Sequence, residues 1–158
     1  MGVSLFCRLS EAHPQAISEL QCQYRMSAGI MELSNALIYG ERLRCGSAEI
    51  ANSRLQLSGD KPTTLWLKEV LDPSRSVVFI NTDLLPAPEV KDYKPGSNPM
   101  EAYVVSEVTR ELVKRDICLN EIGIITPYNS QANLIRSVID ASGLVEVHTI
   151  DKYQVRLK

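Results

Sequence analysis

Two short β-branched runs on either side of one amphipathic helix constrain this chain more than any other feature. IGIIT (122–126) and LVEVHTI (144–150) read as strands, the first a continuous apolar run of the kind buried on both faces. Between them Leu134, Ile135, Val138 and Ile139 recur at helical spacing, in a helix expected over 129–141. Strands joined through a helix run parallel, cross over right-handed, and need helices to cover the sheet. The alternation extends upstream. SVVFIN (76–81) reads as a further buried strand, and DLLPAPEVKDYKPGSNP after it as a proline-rich loop. Asn98 and Pro99 then read as the cap and first position of a helix to about Arg115, striped by Ala102, Val105, Val108 and Leu112. Nearer the start, Ser4 to Ser10 suggests a helical turn, and Leu20, Cys22 and Tyr24 alternate as an extended piece. Ser27 can cap a helix with Ile30, Met31, Ser34, Leu37 and Ile38 on one face and Gly40 as its stop. Residues 40–75 read as an irregular connection with one short helix around Leu65-Trp66-Leu67. The expected architecture is an α/β layered domain, and 158 residues suit one such domain.

Several function classes are excluded. A formal net charge of −2 supplies no overall basic field, so contact with nucleic acid needs a local patch. No apolar run approaches the roughly eighteen residues of a membrane span, and Phe6 stands where a myristoylation signal needs Ser or Thr. The polar stretch that follows is not a signal peptide, and no membrane partner is expected. Cys7, Cys22, Cys45, Cys118, His13 and His148 are scattered without a C-x-x-C pair, so reduced thiols and no metal site are expected. There is no G-x-x-x-x-G-K-[ST] loop, the dipeptide Gly-Lys never occurs, and no Asp-Glu pair follows a strand. Nucleotide hydrolysis by this chain alone therefore lacks its core machinery. There is also no G-x-S-x-G and no Ser-His-Asp order.

Ligands of parallel α/β sheets bind beyond the carboxyl ends of the strands. Three polar clusters fall at such ends: Gln23-Tyr24-Arg25, Thr126-Pro127-Tyr128 and Thr149-Ile150-Asp151. Arg25 offers a planar fork of donors suited to phosphate oxygens. Tyr128 offers a face for base stacking, and Thr126 a hydroxyl for a phosphate. Lys152 and Arg156 add positive charge near the third cluster. Each also has a structural reading: an ion pair or carbonyl cap for Arg25, a packed turn for Thr126 to Tyr128, and a solvated turn for Asp151-Lys152.

The order of the clusters adds a resemblance. QYRM (23–26) followed by SAGIMELSNALIYGERL resembles the opening of the second motor domain of superfamily 1B helicases. CGSAEIAN (45–52), VVFINTDLLPAPE (77–89), N-P-M-E-A (98–102), EIGIITPYNSQ (121–131) and VEVHTIDKYQ (145–154) are similar to the eukaryotic DNA-replication helicase/nucleases, nuclear ATP-dependent enzymes. The resemblance implies a RecA-like P-loop fold, a parallel sheet with helices on both faces, and a single, partial second motor domain over 1–158. It implies ATP with Mg2+ as cofactor of the complete enzyme and none for this chain alone. It also implies partners in single-stranded DNA and a first motor domain, with function in replication and repair in the nucleus. Carried over by position, Arg25 would reach the γ-phosphate, with Gln23, Gln154 and Arg156 on the nucleotide side. Thr126, Pro127, Tyr128, Thr149 and Lys152 would lie along the single strand, and Glu101 matches a family acid at a helix start. The family continues DKYQ as Gly-Arg-(Asp or Glu)-Lys, whereas this chain reads Val155-Arg156-Leu157-Lys158, as in a truncated product or a short isoform. A non-catalytic single-strand-binding or docking module, a non-functional remnant and an RNA helicase of the nonsense-decay type stand as alternatives.

Overall fold

The computed structural model describes residues 3–85, 96–139 and 144–153. The chain divides into two compact units, Met1–Arg54 and Leu55–Lys158.

The first unit begins with helix α1 (Leu5–Ala12), whose cap Ser4 accepts a hydrogen bond from the Cys7 amide. Strand β1 (Cys22–Gln23) leads into helix α2 (Ala28–Ser34), then strand β2 (Arg44–Cys45) and helix α3 (Ala48–Ala51). β1 and β2 pair in parallel, Cys22 opposite Arg44 and Gln23 opposite Cys45. The helix signalled from Ser27 to Gly40 does not continue as one regular cylinder. After Ser34 it widens into a π-helical turn, Asn35–Tyr39, closed where the Gly40 amide donates to the Asn35 carbonyl at 2.9 Å. Gly40 then takes the left-handed conformation (φ 55°), which suits a residue without Cβ. A wider turn rotates the chain less per residue, so Leu37 and Ile38 leave the face of Ile30 and Met31. The expected stripe is accordingly not a core: Leu37 is 72% and Ile38 74% exposed. Asn35 is buried instead, donating to the Leu43 carbonyl (2.9 Å) and accepting from the Leu43 amide (3.0 Å).

The second unit contains helices α4 (Leu65–Val70) and α5 (Pro99–Lys114), strand β3 (Gly123–Thr126), helix α6 (Asn129–Val138) and strand β4 (Glu146–Thr149). β3 and β4 are parallel, with register running from Gly123 opposite Glu146 to Thr126 opposite Thr149. Their core is Ala102, Ala132, Ile135, Val145 and Val147, flanked by half-buried Val105, Ile122, Ile124, Leu134 and Ile139. The buried line of α5 is Ala102, Ser106 and Thr109, while Val108 and Leu112 are only half-buried. Both hydroxyls find acceptors, Thr109 in the Val105 carbonyl (2.8 Å) and Ser106 in the Val138 carbonyl (3.4 Å), which makes their burial tolerable. Arg136 donates from α6 to the Val147 carbonyl of β4.

Two expectations need correction. SVVFIN forms no strand among the described residues, and Phe79 is 89% exposed. β-branched composition supplies only a preference, and a strand also needs a ladder partner. Here the end of the run turns locally instead: the Asp83 amide donates to Asn81 Oδ1 and the Leu85 amide to the Thr82 carbonyl, each at 2.9 Å. Second, the α/β alternation takes the form of two two-stranded parallel sheets among the described residues, not one continuous sheet. Residues 40–75 also hold more regular structure than expected, namely β2, α3 and α4. The PAPE segment lies outside the described residues.

Candidate functional site

In the second unit the pairing of β3 with β4 brings two predicted residues side by side. Thr126 and Thr149 are register partners at the carboxyl ends of the strands, both buried. The Thr126 hydroxyl accepts from the Tyr128 amide at 3.5 Å, turning the chain outward through exposed Pro127. Tyr128 is the cap position of α6, makes no side-chain cap hydrogen bond, and is 58% exposed. Beyond Thr149 a 3-10 turn, Ile150–Lys152, carries exposed Lys152 and is closed by the Tyr153 amide donating to the Thr149 carbonyl (3.0 Å). An open aromatic ring and a lysine thus follow the buried threonines that end adjacent strands, a pair suited to a stacked base and phosphate oxygens.

One residue of this edge stands within EIGIITPYNSQ but has no role assigned from the sequence. Gln131, only 5% exposed, accepts from the Asn98 amide at 2.6 Å and donates to the Asn98 carbonyl at 3.1 Å. The Asn98 side chain meanwhile caps α5, accepting from the amides of Met100 (3.0 Å) and Glu101 (3.1 Å). One chain of hydrogen bonds therefore joins the amino ends of α5 and α6. The signal was a glutamine in the first turn of a helix, a position where side chains commonly reach neighbouring backbone. Exposed Glu101 sits in the first turn of α5, where a carboxylate complements the helix dipole. It also borders a cavity of about 450 Å³ lined by Phe79, Asn81, Asp83 and Val105.

In the first unit, Gln23 and Arg25 share a turn but face different tasks. Gln23 Oε1 accepts from the amides of Arg25 (2.8 Å) and Met26 (2.6 Å), and Nε2 donates to the Met26 carbonyl (2.7 Å) and Cys45 Sγ (3.2 Å). Its carboxamide is spent on closing the turn and tying it to β2. The Tyr24 ring lies where a Cβ on Gly46 would stand, so a larger residue there would displace that exposed ring. Arg25 is exposed, and its guanidinium makes no hydrogen bond or ion pair with the described residues. Gln154 and Arg156 lie outside the described residues. Among the described residues no group of three His, Cys, Asp or Glu side chains could hold a metal ion, and no helix is long and apolar enough to cross a membrane.

Comparison with known proteins adds an independent line. The family profile described as an AAA domain matches residues 1–157. A DNA replication ATP-dependent helicase/nuclease of Arabidopsis thaliana is 61% identical over 158 residues, covering 100% of this chain and 12% of the relative. The mouse protein of the same description is 40% identical over 172 residues, covering 100% of this chain and 16% of its own length. The Saccharomyces cerevisiae one is 32% identical over 169 residues, covering 98% and 11%. The chain thus spans about an eighth of the length of the curated relatives it matches.

Proposed function

The chain belongs to the AAA domain family over residues 1–157, and from that membership we propose that it is second-motor-domain material of an ATP-dependent DNA helicase/nuclease. In this reading the RecA-like second motor domain works with a first motor domain to move along single-stranded DNA in replication and repair, in the nucleus. The observation that carries the reading is the juxtaposition of Thr126 and Thr149 at adjacent strand ends, with the open Tyr128 ring two residues beyond Thr126. Exposed Lys152 holds phosphate oxygens, the buried Thr126 and Thr149 fix the strand ends beside it, and a base stacks on Tyr128.

Arg25 fits the nucleotide side, since an exposed guanidinium without a partner among the described residues is available to a phosphate. Gln23 serves there by fixing the turn that carries Arg25. ATP with Mg2+ supplies the free energy of translocation when bound by the complete enzyme; this chain's share is the arginine. The phosphate-cradling loop and its lysine are absent from this sequence, so the chain alone hydrolyses no ATP.

Titrating the purified chain with fluorescent oligothymidine tests the reading. Binding at low salt should weaken steeply as salt rises, and Tyr128→Ala should cost about 1–3 kcal/mol. No binding at low salt would overturn it. Oligouridine in parallel separates DNA from RNA preference, the alternative of a nonsense-decay type of helicase being favoured if oligouridine binds more tightly.

A further inference from the structure

The Tyr128 ring lies against the segment that leads into the amino end of α5. Gly96 has φ 80°, and a Cβ there would meet Tyr128 Cγ at 3.0 Å, Cδ1 at 3.2 Å and Ser130 Oγ at 3.3 Å. The left-handed conformation therefore favours glycine, and a Cβ there would press on the Tyr128 ring. Two residues later Gln131 grips the Asn98 main chain at its amide and its carbonyl. Residues 96–98 are in this way clamped onto residues 128–131, with Gly96 against the ring and Gln131 as the clamp. A bidentate bond from a carboxamide that is 5% exposed is a rigid one, because its competitors in water are excluded.

We propose that Gly96 and Gln131 are positioning residues for Tyr128, holding its ring in one orientation for an unpaired nucleobase. A ring on a freely rotating side chain loses torsional freedom when a base stacks on it; a ring already backed at Cγ and Cδ1 has less to lose. The identity of the ligand rests on the single-strand reading above, whereas the ordering of the ring does not.

The test is a double-mutant cycle in the full chain with a ligand-free readout beside it. Oligothymidine affinity is measured for the unaltered chain, Gly96→Ala, Tyr128→Ala and the double variant. Gly96→Ala should weaken binding roughly three- to tenfold when Tyr128 is present and have little effect when it is absent. An equal loss in both backgrounds would overturn the proposal, leaving Gly96 a merely structural glycine. Independently, side-chain NMR relaxation compares Tyr128 with Tyr103, an exposed tyrosine of α5 with 56% exposure. The Tyr128 ring should be the more ordered, and Gln131→Ala should bring it to the level of Tyr103. Equal mobility in the unaltered chain would also overturn the proposal. If the ring is ordered and Gln131→Ala frees it, yet Tyr128→Ala leaves oligonucleotide binding unchanged, the positioning role stands and the single-strand reading fails.

Discussion

In the second unit β3, α6 and β4 enclose Ala132, Ile135, Val145 and Val147; in the first, β1, α2 and β2 bury no apolar side chain among the described residues. Both are parallel strand-helix-strand arrangements, yet one is held by area and the other by direction. In the first unit the carboxamides of Gln23 and Asn35 take the place of a core, each bonding backbone on both its oxygen and its nitrogen. Burial of apolar area is graded and tolerates small displacements. A buried carboxamide is not so forgiving, because losing one partner leaves desolvated groups unpaired. The comparison shows that topology alone does not dictate what kind of interaction stabilises it.

The largest expected effect breaks the second unit. Ile135→Ala removes a side chain that is 3% exposed and should cost about 2–5 kcal/mol, seen as a lower urea midpoint and lost amide protection in β3 and β4. Asn35→Ala is the matching blow to the first unit, at about 1–3 kcal/mol. Hydrogen exchange should report it first at the Leu43 amide, whose acceptor it removes. Leu37→Ser sharpens the contrast, since a residue 72% exposed should change stability by no more than about 0.5 kcal/mol. A large loss would mean that the apolar stripe expected over 27–40 does bury itself. The smallest effect depends on pH. The Ser74 amide and then its hydroxyl, bonded to Asp72 at 2.9 and 2.8 Å, hold the Asp72 carboxyl below its ordinary value, with Arg75 and Lys61 adding to the effect. A depressed folded value gives stability that is present above the unfolded value and lost as pH falls through the folded one. Asp72→Asn should therefore flatten the acid side of the stability profile and leave the slope at neutral pH unchanged.

How legible each region was follows the same division. IGIIT and LVEVHTI announced β3 and β4 through their β-branched content, although β3 is not buried on both faces, Ile125 being 51% exposed, and Asn98-Pro99 announced α5 because capping is local chemistry. SVVFIN carried the same composition without forming a strand, since composition cannot say whether a ladder partner stands alongside. The π-turn after Ser34 was hidden, as nothing in NALIY distinguishes the wider turn from an α-helix until Asn35 bonds Leu43. At the site, the strand-end rule located Thr126 and Thr149, and their register then made them neighbours. Gln131 and Gly96 were not legible because their roles depend on backbone distant in sequence: Asn98 for the first, the approach of Tyr128 for the second.

The Gln23 carboxamide has a chemical corollary. Its Nε2 faces only acceptors, the Met26 carbonyl and Cys45 Sγ, with Met31 Sδ farther off at 3.8 Å, while its Oε1 faces only donors. Spontaneous deamidation, which exchanges that nitrogen for oxygen and adds a negative charge, would leave the donors satisfied and set oxygen against oxygen and sulfur. Such a change would loosen the arginine-bearing turn. Its loosening would need neither unfolding nor proteolysis, only the hydrolysis of one side-chain amide.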